Sequence, residues 1–86
     1  MTTKFPPHPF VSKVLIRESA ELRKHHVYST WFYNKEEHTI TICTTHPGYW
    51  IGWRGERTKQ IKEEINGILR QHNLPEITIK YVECES

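Results

Sequence analysis

The chain has 86 residues, enough for one domain with a single hydrophobic core. Its formal net charge of +2 excludes a protein that binds nucleic acid by bulk charge alone, so any such site must be local. Two cysteines are too few for a disulfide framework, and the longest uncharged stretch is too polar to cross a bilayer. Since no secretory signal is expected either, we expect a cytoplasmic protein with free thiols and no membrane contact.

Residues 1–9 are predicted to form a flexible, Pro-rich N-terminal tail, and residues 10–86 a single domain. Each proline of Phe5-Pro6-Pro7-His8-Pro9 lacks an N–H group and favours extended geometry in the residue before it. A helix is predicted from about Phe10 to His26, where apolar residues recur at helical spacing. These residues are Val11, Val14, Leu15 and Leu22.

Two strands are predicted next, at residues 27–33 and 38–45. The first is rich in aromatic and β-branched residues, and the second places Ile40 and Ile42 on one face. The four polar residues between them predict an antiparallel hairpin. The aromatic residues expected to pack in the sheet are Tyr28, Trp31, Phe32 and Tyr33.

Two helices and a last strand complete the domain. A helix of one or two turns is predicted to begin at Pro47, and a long helix follows Gly55. The residues that share one face of the long helix are Thr58, Ile61, Ile65, Ile68, Leu69 and His72. On the last strand, the predicted core residues are Ile77, Ile79 and Tyr81. This order, α-β-β-α-α-β, predicts an α+β fold in which a three-stranded mixed sheet has its helices packed on one face.

A glycine turn, Gly52-Trp53-Arg54-Gly55, lies between the two consecutive helices. Glycines let the main chain approach a ligand without a Cβ in the way. The long helix that follows points unpaired N–H groups and its positive dipole end at the same place, and Arg54 adds a charge. These features predict a cradle for phosphate groups. The alternative is a tight turn between helices that binds no ligand.

The run from His46 to Glu56, HPGYWIGWRGE, resembles the signature of the type II K-homology (KH) domain, most of all the version in a small-ribosomal-subunit protein near the messenger-RNA entry site. That signature is Pro-Gly, two or three mostly apolar residues, Gly, two variable residues, Gly, Glu. The order of elements over about residues 10–84 also matches the family. The resemblance implies a non-enzymatic domain that clamps about four nucleotides of single-stranded RNA or single-stranded DNA. Because the second domain of the ribosomal relative is absent from this sequence, we expect a stand-alone KH protein.

Aromatic and basic residues interleave around the turn, a pattern that proteins use for unstacked bases. We expect Trp50 to be largely buried and Tyr49 or Trp53 to be exposed. A shallow groove for bases is expected around Ile51 and Ile61. The predicted RNA-binding residues are Tyr49, Ile51, Gly52, Trp53, Arg54, Gly55, Arg57 and Lys59. Charges on the long helix, such as that of Lys59, are equally compatible with a merely solvated surface.

Other functional classes have weaker support in the sequence. The histidines lack the spacing that places two ligands on one face of a helix, so neither a metal nor another cofactor is expected. No nucleophile, base and orienting residue can be placed together, so we do not expect an enzyme. The alternative function is a KH fold that binds a protein partner, with residues 5–10 as a docking arm, or a factor attached to the ribosome.

Overall fold

A computed structural model describes residues 2–3 and 6–84 of the chain. The elements are strand β1 (Thr2–Thr3), helix α1 (Pro9–Arg23), strands β2 (Ser29–Asn34) and β3 (Thr39–Thr44), helix α2 (Pro47–Ile51), a 3₁₀ turn (Trp53–Gly55), helix α3 (Glu56–Gln71) and strand β4 (Thr78–Glu83). The fold is α+β, as predicted. Within the described ranges, none of the helices combines the length and the apolar character that a membrane span requires.

The mixed sheet has four strands in the order β1-β2-β3-β4, one more than the three predicted, and β3 lies between β2 and β4. The antiparallel hairpin of β2 and β3 places Tyr33 opposite Ile40, and the parallel pairing of β3 with β4 places Ile40 opposite Ile79. The predicted tail contributes β1, because Thr2 and Thr3 pair with the otherwise free edge of β2. Lys4 and Phe5 of that tail lie outside the described residues.

The core lies between one face of the sheet and the helices α1 and α3. Burial of apolar surface is the main driving force for this packing, and the predicted apolar faces of both helices supply it. The fully buried side chains include Val11, Leu15, Leu22, Ile40, Ile42, Ile65 and Leu69. His72 is exposed, although the helical spacing placed it on the apolar face of α3, because it follows the last residue of that helix.

The opposite face of the sheet carries exposed side chains. Phe32 is 40% exposed and Val82 is 42% exposed. Successive strand residues point to opposite faces, so Tyr33 is buried in the core while Phe32 is not. The prediction that the aromatic residues of β2 pack in the sheet holds for Tyr33 and Trp31, but it is wrong for Phe32 and for Tyr28, which precedes the strand.

A disulfide joins Cys43 to Cys84 at one end of the sheet, with their Cα atoms 5.7 Å apart. This separation is ordinary for a disulfide. The parallel pairing brings the two residues together, since the Cys84 N–H group donates to the Thr44 carbonyl at 2.8 Å. The expectation of free thiols is therefore corrected. That expectation rested on the predicted compartment, while the predicted parallel return of the last strand had left a bond between the two cysteines open.

Candidate functional site

The glycine turn breaks the chain between α2 and α3. Gly52 has φ 78° and ψ 176°, a backbone conformation that only glycine adopts readily. A Cβ on Gly52 would lie 2.6 Å from the Arg57 Cβ, so the chain passes the start of α3 too closely for a side chain. The turn is closed by hydrogen bonds from the Gly52 N–H to the Gly48 carbonyl (2.9 Å) and from the Gly55 N–H to the Gly52 carbonyl (3.1 Å).

The second half of the turn is also left-handed. Arg54 has φ 56° and Gly55 has φ 73°. A Cβ on Gly55 would meet no atom within 4 Å, so its requirement for glycine is conformational and not steric. For Arg54, the left-handed backbone costs about 1 kcal/mol. This turn therefore holds Trp53 and Arg54 at its tip, away from the core.

Trp53 and Arg54 form an exposed aromatic and cationic pair. The indole of Trp53 is 73% exposed, and the Arg54 guanidinium carbon lies 4.3 Å from the centre of the indole ring. This is the geometry of a cation–π contact. Tyr49 is 50% exposed, so the expectation that Tyr49 or Trp53 would be accessible is confirmed for both. The tip therefore offers flat aromatic surface and positive charge to the solvent.

The N-terminus of α3 opens directly behind the tip. Among the described residues, no side chain forms a capping hydrogen bond at this terminus. The Glu56 N–H group donates to the Trp53 carbonyl. The N–H groups that follow belong to the first turn of α3, and such N–H groups have no acceptor within the helix. An anion placed here would meet main-chain donors and the positive end of the helix dipole.

A buried chain of hydrogen bonds fixes α2 beneath the turn. The Trp50 indole N–H donates to the Ser29 hydroxyl at 2.8 Å, and that hydroxyl donates to the Thr44 hydroxyl at 2.9 Å. Trp50 and Thr44 are both fully buried, which confirms the predicted burial of Trp50. Because Trp50 precedes Gly52 by only two residues, these hydrogen bonds determine where the turn begins.

The start of α3 is held by two further contacts. The hydroxyls of Thr58 and Tyr81 are 2.7 Å apart, and Arg57 forms an ion pair with Glu18 of α1 at 3.0 Å. Burial raises the pKa of Tyr81, while the hydrogen bond to Thr58 and the charge of Arg57 act in the opposite direction. Arg57 thus lies against α1, where it pairs with Glu18, and its contact with nucleic acid stays a prediction.

Lys59 belongs to a mixed-charge patch on the outer side of α3. A shallow depression is lined there by Lys59, Gln60 and two carboxylates, those of Glu56 and Glu63. The neighbouring acids offset the positive charge of Lys59, which weakens its attraction for a polyanion. Of the predicted charged contacts, only Arg54 combines an exposed side chain with a place in the turn.

A groove of about 690 Å³ lies beside the tip. The described residues that line it are Thr45, His46, Pro47, Gly48, Tyr49, Gly52, Trp53 and Glu83. Ile61 is 2% exposed and Ile51 is 37% exposed, and neither lines this groove, so the base groove expected around Ile51, Ile61 and the neighbouring strand stays a prediction. Sequence reasoning missed Glu83, because only the pairing of β4 with β3 brings its carboxylate next to α2.

Histidines flank one wall of this groove. The Tyr49 ring lies 6.0 Å from the ring of His25 and 6.0 Å from that of His46, measured between centres. Within residues 2–3 and 6–84, no group of three or more His, Cys, Asp or Glu side chains could hold a metal ion. The rings of His25 and His46 extend the aromatic surface around Tyr49.

Comparisons with family models, with curated proteins and with solved structures gave no match. A functional assignment consequently depends on the geometry of the turn and the groove.

Proposed function

We propose that this chain is a type II KH domain that binds short single-stranded RNA or single-stranded DNA. The observation that carries the proposal is the turn at the uncapped N-terminus of α3. Two left-handed glycines, Gly52 and Gly55, leave its main chain bare, and Arg54 adds a positive charge. A sugar–phosphate backbone can reach the N–H groups there because no Cβ intervenes.

The arrangement of elements supports the same proposal. The turn joins α2 to α3 inside a unit that begins with β3 and ends with β4, and β4 returns parallel to β3. This arrangement is compatible with the type II KH order that the signature at residues 46–56 implies. The sheet and the buried Trp50 hold the turn rigidly, so the domain binds by positioning the strand and requires no catalytic group.

Within this proposal the residues divide into two roles. Gly52, Arg54 and Gly55 hold phosphates, while Tyr49 and Trp53 stack on bases. Stacking of a base on an aromatic side chain contributes about 1–3 kcal/mol per base. Arg57 acts through its contact with Glu18, which positions the start of α3.

Changing both Trp53 and Arg54 to Asp tests the proposal. The double variant removes the stacking surface and places two carboxylates where phosphates would lie, so we expect at least about a hundredfold loss of affinity for oligonucleotides of about eight residues. Fluorescence anisotropy at two salt concentrations measures it. Wild-type binding must weaken as salt rises, since phosphate contacts release counterions.

Phe10 and Lys13 provide the matched control. Lys13 lies over the Phe10 ring at 5.1 Å, so Phe10→Asp/Lys13→Asp removes another exposed aromatic and cationic pair with the same change of charge. Phe10 contacts His72, just beyond the end of α3 that is remote from the turn. The control should bind like the wild type. Equal loss in both double variants, or no loss in either, contradicts the proposal.

Exposed apolar residues on α1 favour a protein partner as the second candidate function. Phe10 is 48% exposed and Ile16 is 57% exposed, and neither belongs to the turn. Crosslinking in cells separates the two functions, since recovery of RNA supports the first and recovery of protein alone supports the second. Association with the ribosome would appear as ribosomal RNA in the same experiment.

A further inference from the structure

Glu83 occupies a fixed position at the edge of the groove. It is the last residue of β4 and lies opposite Thr44 of β3 in the parallel register. Thr44 is buried on the helix side of the sheet, so this register position faces α2. The next residue, Cys84, is held by its hydrogen bond to the Thr44 carbonyl and by the disulfide to Cys43. The main chain at Glu83 is thus constrained by its pairing with β3 and by the contacts of the next residue, Cys84.

A carboxylate in this place requires an explanation if the groove receives a polyanion. Glu83 forms no ion pair with any described residue, and it lines the groove together with Trp53 and Tyr49. An ionised carboxylate only accepts hydrogen bonds. It therefore repels phosphate and carbonyl oxygens, and it attracts only a ligand group that offers N–H or O–H.

Nucleic-acid bases differ in how many N–H donors they offer on the pairing edge and in whether carbonyl oxygens flank those donors. Cytosine and adenine carry an exocyclic amino group on the pairing edge, and guanine carries an amino group beside a ring N–H. Uracil and thymine present carbonyl oxygens on either side of one ring N–H. Glutamate accepting a hydrogen bond from the cytosine amino group is an established mode of base readout.

We infer that Glu83 makes this groove select bases that carry an exocyclic amino group and disfavour uracil and thymine. The inference rests on the proposed function, because a base must first stack at Trp53 or Tyr49 for its edge to meet the carboxylate. The selecting contact is the amino N–H donating to a Glu83 oxygen. Discrimination of about tenfold is expected, since a well-formed contact of this kind is worth one power of ten or more.

Cytosine and uracil oligonucleotides give the cleanest comparison, because the two bases have the same size and differ only on the pairing edge, where cytosine has an amino group beside a bare ring nitrogen and uracil has a carbonyl oxygen beside a ring N–H. For the wild type we expect affinity for oligocytidine to exceed that for oligouridine about tenfold. Glu83→Gln should abolish this difference and raise the affinity for oligouridine, because its amide can donate to a uracil carbonyl. Glu76→Gln, the same substitution just before β4, should leave the ratio unchanged.

A change in the ligand provides a second test that needs no variant. Dimethylation of the cytosine amino group removes its N–H donors and keeps the ring, so the wild type should bind the modified oligonucleotide about as weakly as oligouridine. If the wild type binds no oligonucleotide, the proposed function itself fails. If it binds cytosine and uracil equally, or if Glu83→Gln raises both affinities by the same factor, the inference about Glu83 is overturned while the proposed function stands.

Discussion

Gly52 is the residue at which the backbone leaves least freedom for substitution. Both its positive φ and the close approach of Arg57 exclude a side chain. We expect Gly52→Ala to lower the free energy of unfolding by about 1–3 kcal/mol, the cost of a strained backbone together with overpacking. Gly55→Ala has the strain without the clash and should cost about 1 kcal/mol. Urea denaturation followed by circular dichroism measures both.

Gly48 supplies the control for this comparison. A Cβ there would meet no atom within 4 Å, and the residue lies in α2 with ordinary helical geometry. Gly48→Ala should leave stability unchanged or raise it by up to about 1 kcal/mol, because alanine is the better helix former. If Gly48→Ala and Gly52→Ala destabilise the domain equally, the account of the turn is wrong.

At the scale of elements, the contact between α1 and α3 sets the position of the turn. Arg57 is 29% exposed and its Nε atom is buried without a hydrogen-bond partner among the described residues, so its ion pair with Glu18 is the main compensation for its charge. Glu18→Gln should therefore lower the free energy of unfolding by about 1–2 kcal/mol. It should also weaken oligonucleotide binding, although Glu18 lies outside the proposed interface, because the start of α3 would shift.

Glu64→Gln is the comparison for this prediction. Glu64 pairs with Arg17 at 2.7 Å, also between α1 and α3, but both side chains are largely exposed. Such a pair contributes less than about 1 kcal/mol, so this variant should retain stability and binding. Similar losses in the two variants would show that Arg57 has no special role. Chemical denaturation and anisotropy report the two quantities separately.

The same contacts show which elements sequence patterns could predict. Apolar spacing predicted the buried faces of α1, α3 and β3, because one face of a helix or strand must enter the core. The signature around Gly52 predicted a turn because local backbone chemistry decides it. Contacts between distant segments left no such signal. Whether Arg57 meets Glu18 or nucleic acid depends on the packing of two helices, and the place of Glu83 depends on strand register.

For the molecule as a whole, the disulfide closes a long loop and joins the end of β3 to the residue that follows β4. Cys43 and Cys84 are 41 residues apart, and the intervening chain contains α2, the turn and α3. A cross-link of this span restricts the unfolded chain and contributes about 2–4 kcal/mol. Reduction should lower the free energy of unfolding by that amount, as should the variant Cys43→Ser/Cys84→Ser.

The thiol state also tests the compartment expected from the sequence. A reducing cytoplasm keeps such cysteines as thiols, whereas an oxidising compartment preserves the bond. Alkylation of the protein in freshly lysed cells, followed by mass measurement before and after reduction, distinguishes the two states. With the bond open, Cys84 keeps its main-chain hydrogen bond to Thr44 but loses the covalent link to β3, so Glu83 becomes less well fixed. The reduced protein should still bind oligonucleotides through the turn, but its preference for cytosine over uracil should decrease. An unchanged unfolding midpoint after complete reduction would show that the sheet alone holds this end of the molecule.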